Sequence, residues 1–167
     1  LICLIIGGLT GLERERSNQF AGFRTHILVA IGSCITSITA VQLFISYSSY
    51  SNMDPARLPA QVLSGIGFIG AGAILKNSSG ITGLTTAAGI WATACIGIAI
   101  GYGQYILGIS AWVLEMITLL SLKRIDKLFF KKEVCNIYVT ISSLEAITAT
   151  FAILKECKIS IKNFDVN

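Results

Sequence analysis

Charge is scarce in this sequence. Of its 167 residues, 13% are charged and 53% are hydrophobic, whereas about a quarter of a soluble domain is charged. No Asp or Glu occurs between Asp54 and Glu115. A soluble globular domain is excluded, and an integral membrane protein is the expected class. Groups for catalysis are equally sparse. There is one histidine, with no HExxH, no P-loop and no nucleophile beside a base, so no enzyme and no cofactor is expected. Five cysteines are present and none forms CxxC. They read as small packing residues, not as metal ligands or disulfides.

What is present is a series of apolar segments. The first, 1–12, reads as the tail of a truncated first span, so the chain is taken as a piece of a longer protein. The second, Ile27 to Ser46, is about 20 residues, enough to cross ~30 Å of hydrocarbon. The third, Gln61 to Leu75, is short. The fourth runs from Leu84 to about Gly101 and the fifth from about Tyr105 to Leu122. Lys and Arg cluster in the first connection (Arg14, Arg16, Arg24) and after the fifth segment (Lys123, Arg124, Lys127, Lys131, Lys132). Five crossings place both clusters, and the C-terminal tail, in the cytoplasm. The expected domains are a helical membrane bundle over 1–122, a basic linker over 123–133 and a partial cytoplasmic domain over 134–167. In that last stretch "VCNIYVTIS" and "KISIKNFDV" read as strands around a helix begun by the capping-box pair Ser142 and Glu145. Beside a membrane span, "KRIDKLFFKK" reads as an anchor to lipid and not as a nucleic-acid site.

The stretch "SGIGFIGAGAIL" contains a GxGxxG, Gly65, Gly67 and Gly70. A dinucleotide site needs a strand before it and an acid about 20 residues further on, and here neither is found. In lipid, small residues let helices approach closely. Gly65, Gly67, Gly70 and Gly72 are therefore expected to pack a helix. So is the stripe Thr85, Gly89, Thr93, Gly97 and Gly101, which recurs every four residues. An alternative is a broken third helix whose free backbone lines a binding site, since Gln61 to Leu75 spans only ~23 Å.

Few polar residues remain as candidates. Glu13 and Arg16 are spaced to face each other on a helix. Arg24 and His26 flank Thr25 just before the second span, where a lone His reads as a helix-start residue more readily than as a switch. Asp54-Pro55 signals a helix start, but an acid there also suits a cation or Arg57. Glu115 lies inside the fifth apolar run, where a carboxylate must be paired, protonated or functional.

Four blocks together resemble the MgtC/SapB family of bacterial membrane proteins: "GLTGLERE", "GFRTH", "DPARLPAQVLSGIGFIGAGAIL" and "GLTTAAGIWATACIGIAIGYGQY". The tail is similar to the start of the ACT-like cytoplasmic domain that many members carry. The resemblance implies a plasma-membrane protein tied to growth at low magnesium and to survival inside host phagocytes. It also implies a partner in another membrane complex, with F-type ATP synthase described for some members, while a homo-oligomer and a transport role stay open. Its motif positions here are Glu13, Arg14, Glu15, Arg24, Thr25, Asp54, Arg57, Gln61, the four glycines 65, 67, 70 and 72, Thr85, Thr86 and Trp91. Pro59 departs from the family pattern and is expected to begin the third helix.

Overall fold

A computed structural model describes residues 1–47, 49, 53–77 and 80–129, with side chains to 121 except Asn77. The expected linker side chains and the β-α-β domain of 134–167 lie outside the described residues. The described chain is helical apart from one small ribbon. Its elements are α1 (Ile2–Arg16), α2 (Phe23–Tyr47), α3 (Arg57–Gly72), β1 (Leu75–Asn77), β2 (Gly80–Thr82), α4 (Leu84–Gly101) and α5 (Tyr105–Phe129). Residues 1–126 form one compact unit. Among the described residues, α2 and α4 are long and apolar enough to cross a membrane.

Two helices end in the same backbone motif. After α1, Asn18 takes φ 52°. The Asn18 and Gln19 amides turn back to the Glu15 and Arg14 carbonyls. After α4, Gly103 takes φ 78°, and the Gly103 and Gln104 amides reach the Ile100 and Ala99 carbonyls. A left-handed residue after the helix satisfies the last carbonyls and reverses the chain, which is why Asn and Gly stand there. The α1–α2 and α4–α5 connections are therefore short.

The third helix differs from expectation in two ways. It is continuous from Arg57 to Gly72, so the broken-helix alternative is corrected. Pro59 lies in its first turn and does not begin it. The ring is tolerated there because the first amides of a helix have no partner to lose. The link to α4 is an antiparallel ribbon pairing Leu75 with Thr82 and Asn77 with Gly80. Gly83 closes it at φ 88°, where a Cβ would collide with the Ala73 carbonyl oxygen.

Close glycine contacts fix the helix directions. Gly7 meets the His26 and Ile27 backbone while Gly11 meets Phe23, so α1 runs antiparallel to α2. Gly97 meets Ala30 and Gly101 meets Cys34, so α4 runs parallel to α2. Gly108 meets Ile100, so α5 runs back along α4. A Cβ on Gly97 would stand 2.5 Å from the Ala30 oxygen, and one on Gly101 2.5 Å from the Cys34 oxygen. Gly70 reaches Ala87 at an ordinary 3.5 Å. For Gly65, Gly67 and Gly72 the packing expectation is corrected, because among the described residues no atom lies within 4 Å of a Cβ there. Gly65 and Gly72 lie to one side of the buried stripe of Pro59, Ile66 and Gly70, and Gly67 lies to the other. Thr85 is exposed at the start of its stripe.

The burial pattern is inverted relative to a soluble fold. Thr10, Arg14, His26, Ser33, Ser37, Thr86 and Thr93 are buried, while Phe68 is 87% and Ile106 88% exposed. Water drives large apolar groups inward. Hydrocarbon removes that drive and makes polar groups seek each other inside the bundle.

Candidate functional site

Most of the buried polar residues gather where the end of α1, the start of α2 and the first half of α4 meet α5, while Ser33 and Ser37 lie further along α2 against Gly97 and Gly101. The last turn of α1 supplies Glu13 and Arg14, whose side chains are 10% and 4% exposed. Arg14 Nε donates to Glu13 Oε2 at 2.6 Å, and Ser17 Oγ donates to Glu13 Oε1 at 2.7 Å. The expected Glu13–Arg16 pairing is therefore replaced. Arg16 points outward, while the Arg14 stem turns inward and its guanidinium reaches the adjacent carboxylate.

Glu15 does different work. Its Oε2 accepts the Phe23 amide at 2.9 Å, the first residue of α2. A carboxylate at a helix N-terminus satisfies an orphan N–H and complements the helix dipole. Glu15→Ala is expected to cost about 1 kcal/mol. An unchanged thermal midpoint in detergent would remove this cap from the account.

His26 is fully buried, and its Nδ1 lies 2.9 Å from the Gly22 carbonyl oxygen. Glu115 comes from α5, with Oε1 accepting from Thr93 Oγ1 of α4 at 3.4 Å. Arg14 is near enough to act electrostatically on both His26 and Glu115. Two further bonds tie the helices around them. Thr86 donates to Gln19 Oε1 at 2.8 Å, and Trp112 Nε1 donates to Thr10 Oγ1 at 3.0 Å. The structure thus brings Glu13, Arg14, Thr86, Gly89 and Glu115 of the sequence candidates together. On the other side of Glu115, a groove of about 300 Å³ between α4 and α5 is lined by Trp91, Cys95, Leu107 and Ala111.

Other candidates lie apart. Arg24 is exposed and Thr25 half-buried at the start of α2, while Gln61 is exposed on α3. Asp54 and Arg57 sit at the opposite end of the bundle, since α3 runs antiparallel to α4. Asp54 Oδ1 accepts the Ala56 amide at 2.9 Å, a turn that starts α3, and among the described residues it forms no ion pair with Arg57. Tyr102, just past α4, donates to the Pro55 carbonyl at 2.8 Å. Burial, reinforced by the Asp54 charge, pushes the Tyr102 hydroxyl above its ordinary value, so it remains a donor. Sequence reasoning missed Thr10, Gln19, Ser33, Ser37 and Trp112. A signal was present: His26 and Ser33, and Thr86 and Thr93, are each seven apart within apolar helices, so each pair shares a face.

Such a molecule, apolar outside and hydrogen-bonded within, is a helical bundle of the membrane type. Residues 1–128 match the MgtC family, and the chain belongs to it. It is 44% identical over 121 residues to the Escherichia coli K12 protein "Putative magnesium transporter YhiD", covering 71% of this chain and 56% of that one. It is 47% identical to SapB of Bacillus subtilis over 62% of this chain and 46% of the relative. It is 37% identical to MgtC of Salmonella typhimurium over 68% of this chain and 46% of the relative. The chain spans about half the length of these relatives. No solved structure matches it.

Proposed function

We propose that this chain is the membrane part of a non-enzymatic bacterial plasma-membrane protein that supports growth at low magnesium and under stress by regulating another membrane complex. F-type ATP synthase is the partner that family resemblance suggests. In this reading all five helices cross the bilayer and the basic tail lies in the cytoplasm. A reporter joined after Lys132 and active only outside the cytoplasm would overturn that orientation.

One observation carries the reading. The charged motif residues Glu13, Arg14 and Glu15 make bonds that hold α1 to itself and to α2. Magnesium sites draw on carboxylate oxygens and waters, whereas the carboxylate of Glu115 lies within reach of the Arg14 charge. Exposed Arg16 and Arg24 are left at the same end to meet a partner.

Transport of a cation or small solute is the second reading. It is favoured by an acid, Glu115, inside the bundle and by the transporter name of the YhiD relative. Growth at low magnesium separates the two when Arg24→Gln and Asp54→Asn are compared at equal membrane abundance. Regulation through the cytoplasmic end predicts loss with Arg24→Gln and full growth with Asp54→Asn. Loss in both favours a path with two mouths.

A further inference from the structure

Three buried side-chain atoms among the described residues have no partner: His26 Nε2, Ser33 Oγ and Glu115 Oε2. Two of these side chains converge on one point. A Cβ on Gly89 would stand 4.0 Å from His26 Nε2 and 4.0 Å from Glu115 Oε1. Glycine leaves the space between them open. The Gly22 carbonyl beside Nδ1 can only accept, so Nδ1 carries the hydrogen, and in the neutral ring Nε2 is a bare acceptor. Glu115 Oε1 has the Thr93 hydroxyl, and Oε2 has nothing. His26 Nε2 and Glu115 Oε1 are the acceptors that border this gap, Oε2 being the other oxygen of the same carboxylate, and neither acceptor satisfies the other without a proton-bearing molecule between them. Buried polar atoms left in that way call for a missing partner.

We propose that the gap over Gly89 is a binding site for one water molecule that relays a proton between Glu115 and His26. With Glu115 ionised, the water donates one O–H to its carboxylate and the other to Nε2. With Glu115 protonated, its O–H donates to the water and the water donates to Nε2. Transfer along that line moves the carboxyl proton to the water oxygen and a water proton to Nε2. The water is regenerated, and a carboxylate and an imidazolium remain. Among the described residues, the charged and titratable groups around the pair are Glu13 and Arg14 from α1 and Cys95 from α4. The ionisable residue of α3, Arg57, is at the far end. A divalent cation is the poorer occupant: one imidazole and one carboxylate beside Arg14 give too few oxygens, and no cluster of three His, Cys, Asp or Glu occurs among the described residues.

The test uses the full chain in lipid bilayers, without a histidine tag. The sequence has one histidine, so nitrogen-15 histidine gives one imidazole to observe by solid-state NMR. Wild type is expected to show a protonated Nδ1 and a hydrogen-bonded Nε2 with a cross-peak to water protons. In Gly89→Ala the methyl makes only ordinary contacts but occupies the gap. The water cross-peak is expected to fall severalfold while the Nδ1 signal stays. Glu115→Gln keeps the shape but has no proton to pass, so the Nε2 protonation profile with pH is expected to shift. No water cross-peak in wild type, an equal cross-peak in Gly89→Ala, or an unmoved profile in Glu115→Gln would each overturn the proposal. If Gly89→Ala does not fold, wild type and Glu115→Gln decide it.

Discussion

Replacing Gly97 with leucine is expected to give a protein that fails to hold its bundle in detergent. Even the first carbon of any side chain would stand 2.5 Å from the Ala30 carbonyl oxygen and 3.0 Å from Ser33 Cβ. The oxygen belongs to the backbone of α2, so no rotamer change makes room. Either α2 and α4 separate, or α2 bends. Overpacking by a methylene or two costs about 1–3 kcal/mol in well-packed interiors, and leucine adds four carbons against a fixed backbone. Separation would also part Gly101 from Cys34 and open the face on which Ser33 and Ser37 lie. Gly67→Ala is the matched control. Among the described residues its Cβ meets nothing within 4 Å, and alanine is the better helix former by about 0.5–1 kcal/mol. Thermal unfolding in one detergent ranks the pair. Gly97→Leu as stable as wild type would mean that α2 and α4 do not approach as described. Gly67→Ala that is stable yet inactive would mark its face as a contact for another chain.

The contrast between those two glycines shows what the sequence makes legible. A four-residue glycine period reveals that a face is small, and α4 does bring Gly97 and Gly101 against α2. The same composition in α3 leads, among the described residues, to no neighbour at Gly65, Gly67 and Gly72, because spacings of two and three residues scatter glycines round a helix. Helix number and order were readable because apolar length and turn residues are local properties. The ribbon over 75–82 was not, since three-residue strands carry too little pattern. The polar junction was half visible. Glu115 stood out as an acid in an apolar run, and Arg14 as a motif residue. Their meeting with His26 depends on α4 running parallel to α2 and α5 running back, which is a tertiary fact. His26 itself looked like a helix-start residue at an interface. The tight approach of Gly7 and Gly11 draws α1 over it and buries it completely.

Arg14 is the residue through which the motif, the junction and stability meet, so its removal should have the second large effect. Its side chain is 4% exposed and its Nε lies 2.6 Å from Glu13 Oε2. Removing one member of a buried ion pair costs about 3–5 kcal/mol, because the other charge stays behind in a poor solvent. Arg14→Met keeps most of the apolar stem and takes away only the guanidinium. It is expected to lose stability in that range, although Ser17 still donates to Glu13. Arg14→Lys should rescue poorly, since an ammonium at the end of a longer stem cannot place a donor where Nε is. Glu13→Gln, alone and with Arg14→Met, completes the set of variants. The coupling of the two changes in a double-mutant cycle measures the pair itself. Zero coupling, or Arg14→Met as stable as wild type, would mean that the Arg14–Glu13 pair does not help to hold the bundle, which then rests on the glycine contacts and on the Glu15–Phe23 and Trp112–Thr10 bonds.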